Sequence, residues 1–295
     1  MSYAQNGSTR IYYEVFGERG APAVLLLGGA GRQSLDYDDR FCGRLAAAGF
    51  RAIRFDSRDT GLSTAFSERP SGLVQVFEAV REGRSPILAY DLADMAEDAV
   101  SVLDAEGETS ARLFARSLGA AVAQYVALSR PGRVRSLTLV MPFSRSLAPT
   151  VTPEGLARLD AEHFADEDAY AGRQTRSAQV LGSPAHLDLA LVEADARAAF
   201  RRGVHAGATA RHFAVGIAAP DMRAHFAKLA VPTLVIHGAL DRVIPLAFAE
   251  ETAAAIPGAR LEVLPDMAHD GPPAIRDRWL DLFLEQAVSI AGRAS

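Results

Sequence analysis

Cysteine is almost absent: Cys42 is the only one in 295 residues. A disulfide within the chain and a cysteine-built metal cluster are both excluded. Cys42 lies in Arg40-Phe41-Cys42-Gly43-Arg44-Leu45, on a predicted helix, and reads as a small buried apolar residue. A basic excess is missing too. The net charge is −5, so nucleic acid is not an expected partner. No apolar run is long enough to span a membrane. Met1 to Gly7 is polar and carries no secretory hydrophobic core. A cytoplasmic protein is the resulting expectation. Internal repeats and low-complexity segments are also lacking.

What is present is core-forming sequence: 49% of residues are hydrophobic and 23% charged. That suits one large α/β domain with or without an insertion. Asn6-Gly7 is a hairpin dipeptide before the predicted strand Ile11 to Phe16. Ala23 to Leu27 is a continuous apolar run, as in a strand buried on both faces. It ends in Gly28-Gly29-Ala30-Gly31. This run is not GxGxxG and no P-loop lysine follows, which argues against phosphate binding. It reads either as a tight turn or as half of an oxyanion hole, with the Ala30 N–H as donor.

Helices are predicted from about Asp38 to Ala48, Gly72 to Glu82 and Asp91 to Ala105. The segment 64–90 around the second reads as a surface insertion, with pocket wall as the alternative. A strand from Phe50 to Phe55 runs into Asp56-Ser57-Arg58-Asp59-Thr60-Gly61-Leu62-Ser63. Ionised groups at a strand end need partners, so these charges read as hydrogen-bonded scaffolding.

The centre of the chain is Leu113-Phe114-Ala115-Arg116-Ser117-Leu118-Gly119. A strand ends there, a helix follows at once, and Ser117 stands at the corner. This is a nucleophile elbow of the form small-x-Ser-x-Gly. Sharp turning requires small residues two positions either side, here Ala115 and Gly119. The Leu118 N–H, at the helix start, is the second candidate oxyanion donor. The plainer alternative is a serine that only caps a helix.

After a strand at Val134 to Met141 the pattern turns helical from Pro142 to about Leu229. Thr152-Pro153 and Ser183-Pro184 both read as helix starts. A helix-only stretch between parallel strands suggests a lid over residues 142–229, with the core formed by 1–141 and 230–295. Five of the seven histidines fall in it: His163, His186, His205, His212 and His225. Their spacings do not recur as a ligand set, and neither a metal nor a cofactor is expected.

Two strands close the sheet, Pro232 to Gly238 and Arg260 to Leu264, each followed by a loop and helix. Asp241 follows the first and His269 the second. Alternating strands and helices imply a mostly parallel sheet with helices on both faces. Ser117, Asp241 and His269 would then share its carboxyl edge. His237 competes as the base, but sits within its own strand end and reads as structural. Asp266 and Asp270 flank His269 too closely to orient its ring well.

The order serine, aspartate, histidine and the elbow resemble the α/β-hydrolase superfamily along nearly the whole chain. Asp56-Ser57-Arg58-Asp59-Thr60-Gly61-Leu62-Ser63-Thr64 resembles the Asp-x-Arg-Asp-Thr-Gly-x-Ser-Thr signature of esterases related to aclacinomycin methylesterase. That group acts on polyketide methyl esters. Gly28-Gly29 is similar to the same group, where the wider pattern is His-Gly. Ala115 departs from the expected glycine, and Gly72 to Ile87 is longer than the group pattern. The resemblance implies a serine carboxylic-ester hydrolase with Ser117, Asp241 and His269 as its triad. Lactone opening, C–C bond hydrolysis, cofactor-free cyclisation and a non-enzymatic receptor are the rivals. A small-molecule ester or lactone is the expected partner, and the chain is compatible with a homodimer.

Overall fold

A computed structural model describes residues 2–68, 70–161 and 164–294. Its strands are β1 (Ser2–Asn6), β2 (Thr9–Phe16), β3 (Ala23–Leu27), β4 (Arg51–Phe55), β5 (Ala111–Arg116), β6 (Val134–Val140), β7 (Thr233–Gly238) and β8 (Arg260–Leu264). They form one sheet in the order β1-β2-β4-β3-β5-β6-β7-β8. The β1–β2 and β2–β4 pairs are antiparallel, and every later pair is parallel. The core is therefore the α/β-hydrolase type of sheet.

The helices are α1 (Asp39–Ala47), α2 (Leu73–Arg81), α3 (Leu92–Ala105), α4 (Leu118–Ser129), α5 (Pro153–Asp160), α6 (Glu167–Leu181), α7 (Leu189–Gly203), α8 (Ala208–Ile217), α9 (Leu246–Ala255) and α10 (Pro273–Ala294). Strand alternation divides the core in two. On β3, Leu25 and Leu27 face the layer of α3, α4 and α9, whereas Val24 and Leu26 face α1 and α10. Both faces are covered, which is why β3 reads as an unbroken apolar run. Cys42 is buried in the second layer, where burial pushes its thiol up to about 12. No helix among the described residues is long and apolar enough to cross a membrane.

Two expectations change. Segment 64–90 is less superficial than its loop-like composition suggests. Leu73, Val76 and Phe77 of α2 join Leu156 of α5 and Ala210, Ala214 and Ile217 of α8 in a third apolar cluster. The stripe at i, i+3 and i+4 on α2 supplies that buried face. Ser183-Pro184 opens only a three-residue 3-10 turn, Pro184–His186, and Ser183 makes no capping bond there. The long helix α7 is capped by Asp188, whose carboxylate accepts from the Ala190 and Leu191 N–H groups. Thr152, by contrast, caps α5 through the Gly155 N–H, with Pro153 in the first turn.

Candidate active site

The elbow sits on β5, at the middle of the sheet. Ser117 has φ 51° and ψ −121°, a left-handed conformation that non-glycine residues rarely hold. Its N–H bonds to Val140 O at 2.9 Å, and its carbonyl accepts from the Ala120 N–H at 2.9 Å. The corner is thus pinned by β6 on one side and by α4 on the other. Gly119 allows α4 to start this close to β3: a Cβ there would lie 2.5 Å from Leu27 O and nearer still to Gly28 O. Ala115 is fully buried in register with Leu27, so its single methyl is absorbed by the core.

Ser117 Oγ lies 3.2 Å from His269 Nε2. His269 Nδ1 lies 2.7 Å from Asp241 Oδ2. The other Asp241 oxygen accepts from the Val243 and Ile244 N–H groups, at 2.8 and 2.9 Å. Asp241 therefore orients a turn and a histidine at once. Its side chain is fully buried, while that of His269 is 13% exposed. Burial alone would raise the Asp241 carboxyl. The hydrogen bond and charge of His269 outweigh burial and hold it below the ordinary 3.8. Stability from its ionisation is therefore present above pH 3.8 and fades as pH falls below. Urea midpoints of the wild type and Asp241→Asn should differ at neutral pH and converge in that acid range. A gap independent of pH would mean that Asp241 is not held ionised by this contact.

The competing residues are occupied elsewhere. His237 Nε2 donates to Ile244 O at 3.0 Å and lies 3.6 Å from Asp241 Oδ2. Asp266 pairs with His186 at 2.6 Å. Asp270 accepts from the Ser183 N–H at 3.0 Å and from its hydroxyl. Ser183 Oγ also accepts from the Ala268 N–H at 2.9 Å, and the His269 N–H reaches Leu181 O at 3.3 Å. The histidine loop is thus fastened to the end of α6 and to Ser183 just after it, a serine that resembles a helix cap in sequence.

The glycine loop lies against the elbow. A Cβ on Gly29 would stand 3.4 Å from Ser117 Cβ. Leu118 is the first residue of α4, so its N–H has no carbonyl one turn earlier to bond. The Ala30 N–H has no partner among the described residues. Arg116, just before the serine, is buried and bonds both oxygens of Asp36 at 2.9 and 3.0 Å. Burial would raise Asp36, but the charges of Arg116, Arg32 and Arg276 win and keep it below its usual value.

The charged run at 56–61 serves as scaffolding, and its partners come from the helical stretch. Asp56 receives Arg202, and Asp59 receives Arg211, with a second Arg211 bond at 2.9 Å. His205 Nε2 lies 2.9 Å from Gly61 O, and His212 Nε2 lies 2.9 Å from Arg58 O. Gln33 Nε2 donates to Ala199 O and Gly203 O, at 2.8 and 2.9 Å. Nothing in the spacing of these residues reveals such pairings, because the partners are more than 140 positions apart. Among the described residues, no three potential ligands gather as a metal site. His163 lies outside the described residues.

A family model described as alpha/beta hydrolase fold matches residues 22–272. Rhodomycin D methylesterase DauP of Streptomyces sp. (strain C5) is 26% identical, over 90% of this chain and 91% of that one. The putative carbamate hydrolase RutD of Variovorax paradoxus (strain S110) is 31% identical, over 88% and 89%. The enol-lactonase from Burkholderia xenovorans LB400 has a similar structure, with a TM-score of 0.75 at 21% identity, covering 97% of this chain and all of that one. At that identity it speaks for the fold alone. A family match across most of the sequence and hydrolase relatives of nearly equal length make this a hydrolytic enzyme, and the chain belongs to the α/β-hydrolase fold family.

Proposed function

We propose that the enzyme is a serine carboxylic-ester hydrolase working through an acyl-enzyme. One observation carries this reading: the unbroken chain Ser117–His269–Asp241, with the serine strained at the elbow and partly buried. His269 Nε2 takes the Ser117 proton as Oγ attacks the ester carbonyl. Asp241 holds the imidazole with its proton on Nδ1 and stabilises the imidazolium. The Ala30 and Leu118 N–H groups bind the oxyanion. His269 then protonates the departing alcohol, and water attacks the acyl-enzyme by the same route. The balance is ester plus water giving acid plus alcohol.

Residues 142–229 act as a cap on a core of 1–141 and 230–295. The reading is supported by their ties to both the glycine loop and the histidine loop. The substrate class it favours is a small alkyl ester of a hydrophobic acid, in line with a relative named as a methylesterase. A fluorophosphonate probe, followed by peptide mapping, should give a single adduct on Ser117. An adduct elsewhere, or none on folded protein, would defeat the proposal. A panel of methyl esters, aryl esters and lactones, read by product mass, then separates ester cleavage from ring opening.

A further inference from the structure

Helix α8 crosses the glycine loop beside the serine. Gly31 has φ 68°, and a Cβ there would fall 2.6 Å from Thr209 Oγ1. One turn along the same face stands His212, which is fully buried. Its Nδ1 accepts from the Gly31 N–H at 2.9 Å, and its Nε2 faces Arg58 O at 2.9 Å. A carbonyl can only accept and a backbone N–H can only donate. The two contacts therefore select the neutral ring with its proton on Nε2. Burial lowers its pKa below 6.5; Asp59 and the bond to the Arg58 carbonyl oppose this, while the charges of Arg211 and Arg58 add to it. The Tyr90 ring meets it edge-on, with centroids 6.0 Å apart.

The Gly31 N–H belongs to the peptide that immediately follows Ala30. Fixing it fixes the plane next to the Ala30 N–H. Three of the four residues from 28 to 31 are glycine, so the loop has little stiffness of its own. From below, the loop is packed against Gly119. From above, His212 is the side chain that bonds its backbone.

We propose that His212 is a positioning residue: reaching from the helical stretch, it holds the Ala30–Gly31 peptide so that the Ala30 N–H is ready for the oxyanion formed at Ser117. This rests on the serine-hydrolase reading above. An oxyanion donor helps only when it is oriented beforehand, because reorienting it during the reaction forfeits the gain. His212 touches no reacting atom. Its loss should therefore appear in turnover and not in substrate binding.

Three variants test it, assayed with p-nitrophenyl butyrate. His212→Asn keeps an acceptor where Nδ1 stands. His212→Gln keeps a donor near Arg58 and loses that acceptor. His212→Ala loses both. The Gln and Ala variants should drop kcat about 10- to 100-fold, less than full removal of a donor, with KM within about threefold. The Asn variant should stay within about threefold of wild type in both. Equal losses in Asn and Gln, a change confined to KM, or an unaltered kcat in Ala would overturn the proposal. If the variants do not fold, histidine nitrogen NMR on the wild type decides. A bare Nδ1 on His212 throughout the active pH range supports the role, and a protonated Nδ1 refutes it. Ser117→Ala runs alongside: retained turnover there removes the serine reading itself, whereas its loss without the Asn–Gln contrast removes only the role of His212.

Discussion

Ser117→Ala should lower ester turnover by about 10⁴-fold or more, with the fold unchanged. The hydroxyl is the only group removed, and its one side-chain hydrogen bond among the described residues is with His269 Nε2 at 3.2 Å. Alanine inherits the same strained corner, since the backbone bonds to Val140 and from Ala120 do not involve the side chain. Stability should therefore move little, by about 0.5 kcal/mol at most. Turnover should collapse, because the acyl group has nowhere to go. Under the proposed mechanism, water held by His269 and the proposed oxyanion donors would account for the residual rate. The measurement is kcat for p-nitrophenyl butyrate beside the thermal midpoint. Near-wild-type turnover in the folded variant would remove the nucleophile from the mechanism.

Arg211→Leu should cost about 3–5 kcal/mol, the usual penalty for leaving one partner of a buried ion pair alone. Asp59 is completely buried and the Arg211 side chain only 6% exposed. Once the guanidinium is gone, Asp59 keeps, among the described residues, only the side-chain bonds from Tyr90 OH at 2.9 Å and the Phe66 N–H at 3.0 Å. Those two bonds do not neutralise a charge in the interior. Adding Asp59→Asn removes the stranded charge. Asparagine also tolerates the φ of 71° at this position and can still accept from the Phe66 N–H. The double variant should accordingly be more stable than Arg211→Leu alone. Chemical denaturation tests the order. Limited proteolysis shows whether the helical stretch opens separately from the sheet. A double variant that is worse than the single would mean that the pair acts through packing and not through charge.

These two sites differ in how they could be read beforehand. The Ser117 corner is visible in a few adjacent residues, because an apolar strand, a serine, a glycine two residues on and an immediate helix are all local. The Arg211–Asp59 pair is not, since its partners are 152 positions apart. The same holds for Ser183, which resembles a helix cap in sequence but bonds the histidine loop. Segment 64–90 is a similar case. Its loop-like composition hides the face of α2 that packs against α5 and α8.

By itself the sequence determined the alternation of strands and helices, the carboxyl edge shared by Ser117, Asp241 and His269, and the small residues at the elbow. All of these follow from residue periodicity and from steric limits that act over a few positions. Only the tertiary structure decided which charges pair, which histidine grips the glycine loop, and that the stretch between β6 and β7 touches both loops beside the serine. Such contacts depend on where separate elements come to rest, and a desolvated charge or N–H takes whatever partner the packing brings within reach.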